Sequence, residues 1–191
     1  MKRMHLLNAV AVALLFSSVT VAAEPLGLKQ GTPDIQSAGP LAFAPQGALL
    51  VGDTKGAAIF AIATGDEGSP SAKSNLQIER LNEKVAQALG AGANEIQIND
   101  LAVNPETGNI FLSVSQGDKP AVVKVDSSGK LSQLSLKKIA FSKAALANAP
   151  ADKVTGEGRR ARNNRAESIT DLAFVDGSVI VSGLTAADSP S

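Results

Sequence analysis

Apolar residues in this chain come in short runs of four to six, broken by Pro, Gly and Asn. The run Leu41 to Ala44 is followed by Pro45-Gln46-Gly47 and a second run from Ala48 to Val51, and a third covers Ala57 to Ile62. The same grammar returns at Ile98 to Val103, Ile110 to Val114, Ala121 to Val125 and Leu131 to Leu136, with turn residues at Asn104 to Asn109 and Asp126-Ser127-Ser128-Gly129. It returns once more at Ile169 to Val175, Asp176-Gly177 and Val179 to Val181. Short runs bounded by turn formers predict antiparallel strands joined by tight connections. Leu76 to Ile78 is a candidate fourth strand of the first group. Two stretches follow a helical period instead: Asn82 as N-cap, Val85, Ala86 and Leu89 as an apolar stripe, and Gly90 as the stop; then a segment from Ser142 to just before Pro150. Glu24 to Ala38 has no period and predicts an irregular leading segment.

The phrase Leu41-Ala42-Phe43, Leu101-Ala102-Val103, Leu172-Ala173-Phe174 recurs about 60 and then about 70 residues apart, each time just before a turn and a second strand. Such recurrence predicts an all-β, incomplete β-propeller of about two and a half blades with short helical insertions between blades. The boundaries are blade one at 39–80, a helical insertion at 82–90, blade two at 96–136, an insertion at 137–167 and the start of blade three at 168–191. A ring needs about four to eight blades. The expectation is therefore either the N-terminal part of a longer protein whose remaining blades close the ring, or copies that self-associate to close it. Phe43, Phe111 and Phe174 are expected in the core between sheets.

Asp100-Leu101-Ala102-Val103-Asn104-Pro105-Glu106-Thr107-Gly108-Asn109-Ile110-Phe111-Leu112-Ser113-Val114 resembles the surface-antigen propeller repeat known as YVTN, in which an Asn-Pro turn joins two strands. It also looks like NHL-type blades. Taken whole, the chain is similar to exported bacterial propeller proteins of uncharacterised function that run well beyond residue 191. The resemblance implies missing blades.

Lys2 and Arg3, an apolar run from Leu6 to Phe16 and the tail Val21-Ala22-Ala23 predict a secretory signal peptide over 1–23. That run is shorter than the roughly 20 residues of a membrane span, so a periplasmic or secreted protein with no membrane span after cleavage is expected. The chain has no Cys, and its single His is His5 in the predicted leader. The remainder therefore lacks the groups for Ser-His-Asp or Cys-His catalysis and for typical zinc or copper sites. With 18 basic and 18 acidic residues, loss of Lys2 and Arg3 leaves the rest about two charges negative, which argues against nucleic-acid binding. The absence of Trp and Tyr removes the usual stacking platforms for sugars and bases.

What chemistry remains is that of oxygen ligands and cations. Asp100 and Asp171 occupy equivalent places before the repeated strand. With Asn99 they are the candidate ligands of Ca²⁺, which takes about six to eight oxygens; the alternative is that each caps its own turn. Arg159, Arg160, Arg162 and Arg165 cluster in a polar stretch and can bind a small anionic ligand through forked hydrogen bonds. Alternatively they are solvated, or pair with Glu157, Glu167 and Asp171. Gly156 to Ala161 spells a GxGxxA pattern, and Ser127 to Lys130 and Ser135 to Lys138 spell SxxK. None has the strand-to-helix setting that gives these patterns their mechanism. The functional expectation is a non-enzymatic exported binding or scaffold module whose partner is a protein or a small anion. The alternative is part of a Ca²⁺-dependent hydrolase of the lactonase-like propeller type.

Overall fold

The structure, a computed structural model, describes residues 26–68 and 76–186. The predicted leader lies outside the described residues. In chain order the strands are β1 (Lys29–Gly31), β2 (Leu41–Ala44), β3 (Ala48–Asp53), β4 (Ala58–Ala63), β5 (Ile96–Val103), β6 (Ile110–Gln116), β7 (Lys119–Val125), β8 (Leu131–Gln133), β9 (Ile139–Ala145), β10 (Val154–Thr155), β11 (Arg162–Asn163), β12 (Asp171–Val175) and β13 (Ser178–Ser182); helix α1 (Leu81–Leu89) precedes β5. They form a five-stranded sheet in the order β1-β9-β4-β3-β2, a four-stranded sheet β5-β6-β7-β8, and two hairpins, β10-β11 and β12-β13. Every pairing is antiparallel. The protein is thus of the all-β class, and no sheet closes on itself among the described residues. No helix among them is long and apolar enough to cross a membrane.

The sheets stack face to face, with alternate residues of each strand facing opposite sides. From β2, Leu41 and Phe43 point into the core shared with the four-stranded sheet, where Phe111, Val122 and Ala102 meet them. Ala42 and Ala44 point the other way, into the core shared with the β12-β13 hairpin, against Leu172, Phe174, Val179 and Val181. A third core lies on the far face of the four-stranded sheet, where α1 contributes Val85 to Leu112, Val114, Val123 and Val125. The first interface is locked by an edge-to-face contact between Phe43 and Phe111, ring centroids 5.3 Å apart. The second is tight at Gly52, where a Cβ would lie 3.0 Å from Cγ2 of Ile169. The β12-β13 connection is the two-residue turn Asp176-Gly177, both residues at positive φ (48° and 80°), the geometry that suits the twist of paired strands.

The structure corrects four expectations. The first half of the segment from Ser142, expected as a helix inside an insertion at 137–167, lies in β9, which pairs with β4 from Ala58↔Ala145 to Ile62↔Phe141. The edge of β4 needs hydrogen-bond partners, and Phe141 and Ile139 reach the core from this strand. Lys143 tops the arrangement, its Nζ 5.1 Å from the Phe60 ring centroid and 2.7 Å from Asp34 Oδ2. Leu76 to Ile78 is not a strand; Leu76 and Ile78 pack beside the α1 core instead. The leading segment contains β1, held by β9. Helix α1 starts two residues earlier than expected, with Arg80 rather than Asn82 at its N-cap, while Gly90 (φ 67°) ends it by donating to the carbonyls of Ala86 and Gln87.

Phe111 is fully buried at the centre of this stack. Its replacement by Ala should cost about 3 to 5 kcal/mol in urea unfolding, whereas Phe174→Ala, on a half-buried ring, should cost less; equal losses would show that the two interfaces are not ordered in this way.

Candidate functional site

Two acids are buried among the described residues, and both serve the fold. Asp53 closes the turn after β3: its carboxylate accepts from the Gly56 N–H at 2.9 Å, from the Gln36 and Ser37 N–H groups at 2.8 Å, and from the Ser37 hydroxyl at 2.8 Å. Asp66 ties the connection after β4 to the four-stranded sheet. It forms an ion pair with Lys124 and accepts from Thr107 Oγ1 at 2.5 Å and from Asn104 Nδ2 and Asn109 Nδ2 at 2.8 Å. The Asn104 amide also donates to the Asp66 carbonyl at 3.0 Å. Thus the Asn-Pro turn that carries the family resemblance grips a carboxylate from the neighbouring sheet. Burial works to raise the Asp66 carboxyl, but the hydrogen bonds from Lys124, Thr107, Asn109 and Asn104 outweigh it and hold the group below the ordinary carboxylate range. The only sequence signal for Asp66 was the density of amide and hydroxyl groups in the turn, because its partners lie far along the chain.

The three residues expected to form a metal site line one cleft, and of the four candidate arginines only Arg165 joins them. The N-terminal ends of β5 and β12 and the segment before β2 surround a cleft of about 620 Å³ whose walls include Asn99, Asp100, Asp152, Arg165 and Asp171. Neighbouring strands explain this convergence, since β2 lies between β5 and β12. Asp100 Oδ2 accepts the Leu41 N–H at 2.8 Å, which fastens β5 to β2 across the sheet boundary. Asn99 Nδ2 donates to the Ala38 carbonyl at 2.7 Å and to Ser115 Oγ at 2.9 Å. Asp171 Oδ1 accepts from the N–H of Leu172 at 2.8 Å. Asp100 therefore caps the next sheet rather than its own turn, and Asp171 makes the local contact.

The structure divides the four arginines. Arg159 and Arg160 lie in a short 3-10 turn at the tip of the β10-β11 hairpin and Arg162 on β11, all three exposed. Gly156 to Ala161 is this hairpin tip, so the GxGxxA pattern has no strand-to-helix frame. Arg165 sits apart, in the 3-10 turn Asn164–Glu167. The Asn163 side chain accepts the Arg165 N–H at 3.0 Å and itself donates to Asp152 Oδ1 at 2.6 Å, which fixes the backbone of Arg165 at the cleft wall. Arg165 Nε is buried and has no hydrogen-bond partner among the described residues, and none of the four arginines forms an ion pair among them. The pairing of these arginines with Glu157, Glu167 and Asp171, one of the two expectations, is not what the structure contains.

Two carboxylates and one amide are fewer oxygens than Ca²⁺ requires, two of them already accept backbone N–H groups, and no group of three acidic side chains suited to a metal ion occurs among the described residues. Asn99, Asp100 and Asp171 therefore do not make a calcium site by themselves. Comparison with protein-family models, with curated proteins and with solved structures gives no match.

Replacing Asp66 by Ala should destabilise the fold by about 3 kcal/mol, because Lys124 and three polar side chains lose their partner. A carboxyl held low gives stability that is complete above its unfolded value and is lost as pH falls through the lower folded one. The gap between wild type and Asp66→Ala in urea melts should therefore be largest at neutral pH and close below about pH 4; a gap independent of pH would mean that the ion pair contributes nothing.

Proposed function

We propose that this chain is an exported, non-enzymatic binding or scaffold module built of β-propeller blades of the YVTN or NHL kind, in which the three sheets are blades of a ring completed by sheets outside these residues. One observation carries the reading: the three strands that share the repeated phrase, β5, β2 and β12, are neighbours in space, and their N-terminal ends open on one polar cleft. In a propeller the repeated strands are the inner ones and their ends line the mouth of the channel. A rigid stack presenting a polar concavity suits ligand capture, and the His-free, Cys-free composition outside the predicted leader leaves no conventional nucleophile system there. Arg165 is the anchor for a small anionic ligand: its backbone is held, it lines the cleft, and its guanidinium forms no ion pair among the described residues.

A second reading is favoured by the meeting of Asn99, Asp100 and Asp171 in the same cleft. If further blades added oxygen ligands, these three would hold part of a Ca²⁺ site in a hydrolase of the lactonase-like kind, and the metal would supply Lewis-acid activation. The two readings separate in calorimetric titrations with inorganic phosphate and with calcium chloride. The binding-module reading expects phosphate to bind and Arg165→Gln to weaken it about tenfold or more, the worth of a charge-assisted hydrogen bond, with no calcium heat. Calcium binding abolished by Asp171→Asn would favour the metal reading, and phosphate binding indifferent to Arg165→Gln would remove the anchor.

A further inference from the structure

The segment between β9 and β12 is built unlike the sheets around it. Every residue from Ala151 to Arg162 is exposed, and Val154, its one large apolar side chain, is 68% exposed. Strands β10 and β11 pair only through Val154↔Asn163 and Thr155↔Arg162, and with no other strand. A two-stranded hairpin without a core is marginal in water, so this one opens locally while the sheets stay folded. Its tip reads Arg159-Arg160-Ala161-Arg162. None of these three arginines forms an ion pair among the described residues, so each guanidinium is available to the carboxylate with which a protease pocket selects arginine.

The ends of the segment, by contrast, are anchored. Upstream, Leu146 packs in the core shared with the β12-β13 hairpin and Pro150 is buried; downstream, Ser168 and Ile169 are buried. Two hydrogen bonds span the hairpin: Asn163 Nδ2 donates to Asp152 Oδ1 at 2.6 Å, and the Ala186 N–H donates to the Asn148 carbonyl at 2.8 Å. Leu172, Phe174, Val179 and Val181 hold β12-β13 in its core whether or not the chain before it is continuous. Other basic positions lack this freedom. Lys137 and Lys138 are flanked by Leu134, Leu136 and Ile139, which pack against a core, and Arg80 pairs with Glu83 at the start of α1.

We propose that the β10-β11 hairpin is a proteolytic processing site, cut after Arg160 by an arginine-specific endopeptidase, and that the cut leaves both pieces in the fold. Exposed tips of this kind are where proteases nick folded chains. One water adds across the Arg160–Ala161 peptide bond: the C–N bond breaks, the hydroxyl goes to the Arg160 carbonyl carbon and the proton to the Ala161 amine. This bond is preferred because Ala161 is extended (φ −65°, ψ 118°) and outside the ladder, whereas Arg159 and Arg160 both lie in the 3-10 turn and Arg162 belongs to β11. The cut also bears on the cleft, and this part rests on the reading of Arg165 as its anchor. Asp152 precedes the cut and Asn163 follows it, and Asn163 holds the Arg165 N–H. With the tip open, Arg165 is held less firmly and phosphate binds more weakly.

Brief digestion of the folded protein with an arginine-specific endopeptidase, read by mass spectrometry, should place the first cut among the described residues after Arg160. Circular dichroism should be unchanged, and the two pieces should elute together until denatured. Replacing Arg159, Arg160 and Arg162 together by Lys should make the hairpin resistant to that enzyme while trypsin still cuts it, which separates recognition of arginine from looseness of the loop. A first cut at any other bond among the described residues, an uncut hairpin, or pieces that part without denaturant would overturn the proposal. Calorimetry should show phosphate binding the nicked protein about fivefold or more weakly than the intact one; equal affinity overturns the link to the cleft. An intact protein without affinity for phosphate would remove the ligand reading, and that link with it, while the cleavage site stands, so the two failures are distinguishable.

Discussion

Everything in this fold depends on a small residue standing where a neighbouring sheet's large one must enter. Sheets pack about 10 Å apart, and at that distance one face of each inner strand has to yield. Ala42 yields to the hairpin and Ala102 to the five-stranded sheet, while Leu41, Phe43, Leu172 and Phe174 fill the opposite faces. A stack built from two bulky faces would be overpacked, and one built from two small faces would leave cavities; both are destabilising. The alternation gives each sheet a front and a back, which turns three similar pieces into an ordered series.

Polar contacts fasten the sheets once packing has brought them together. Asp100 reaches from β5 to the Leu41 N–H, and Asp66 reaches into the Asn104 to Asn109 turn and Lys124. These clips act at sheet boundaries, where hydrogen bonds of the ladders do not run. Asp66 is buried with its carboxylate fully occupied, so it specifies how the turn sits against the neighbouring sheet as much as it adds stability. The same logic explains why an acid in a repeated position need not be a ligand: Asp100 is spent on a neighbour's backbone.

Strands with turn residues on both sides were legible in the sequence almost residue for residue. Leu41 to Ala44 and its Pro-Gln-Gly turn, or Phe174 to Val179 around Asp-Gly, declare themselves by local chemistry alone. Ile139 to Ala145 did not, because Ser142-Lys143-Ala144-Ala145 has good helix formers after a capping residue. The open edge of β4, some 80 positions earlier, overrode that preference. The site was legible in part. Repetition pointed to Asp100 and Asp171, and clustering pointed to Arg165, yet sequence proximity grouped Arg165 with three arginines that the β10-β11 hairpin carries elsewhere. Asp66 was illegible because its meaning is created entirely by residues distant from it.

The strand order β1-β9-β4-β3-β2 also bears on how the chain acquires its shape. The five-stranded sheet is begun by β1 and finished only after the whole four-stranded sheet has been made, since β9 follows β8. Until then β4 has a bare edge and β1 has no partner. Non-local pairings of this kind slow folding, because the loop must close before any contact rewards it. The four-stranded sheet, whose strands are consecutive in sequence, can form by itself in the meantime. Its assembly thus precedes completion of the sheet on which it rests, and the open interval is when the chain is most exposed to pairing with the wrong neighbour.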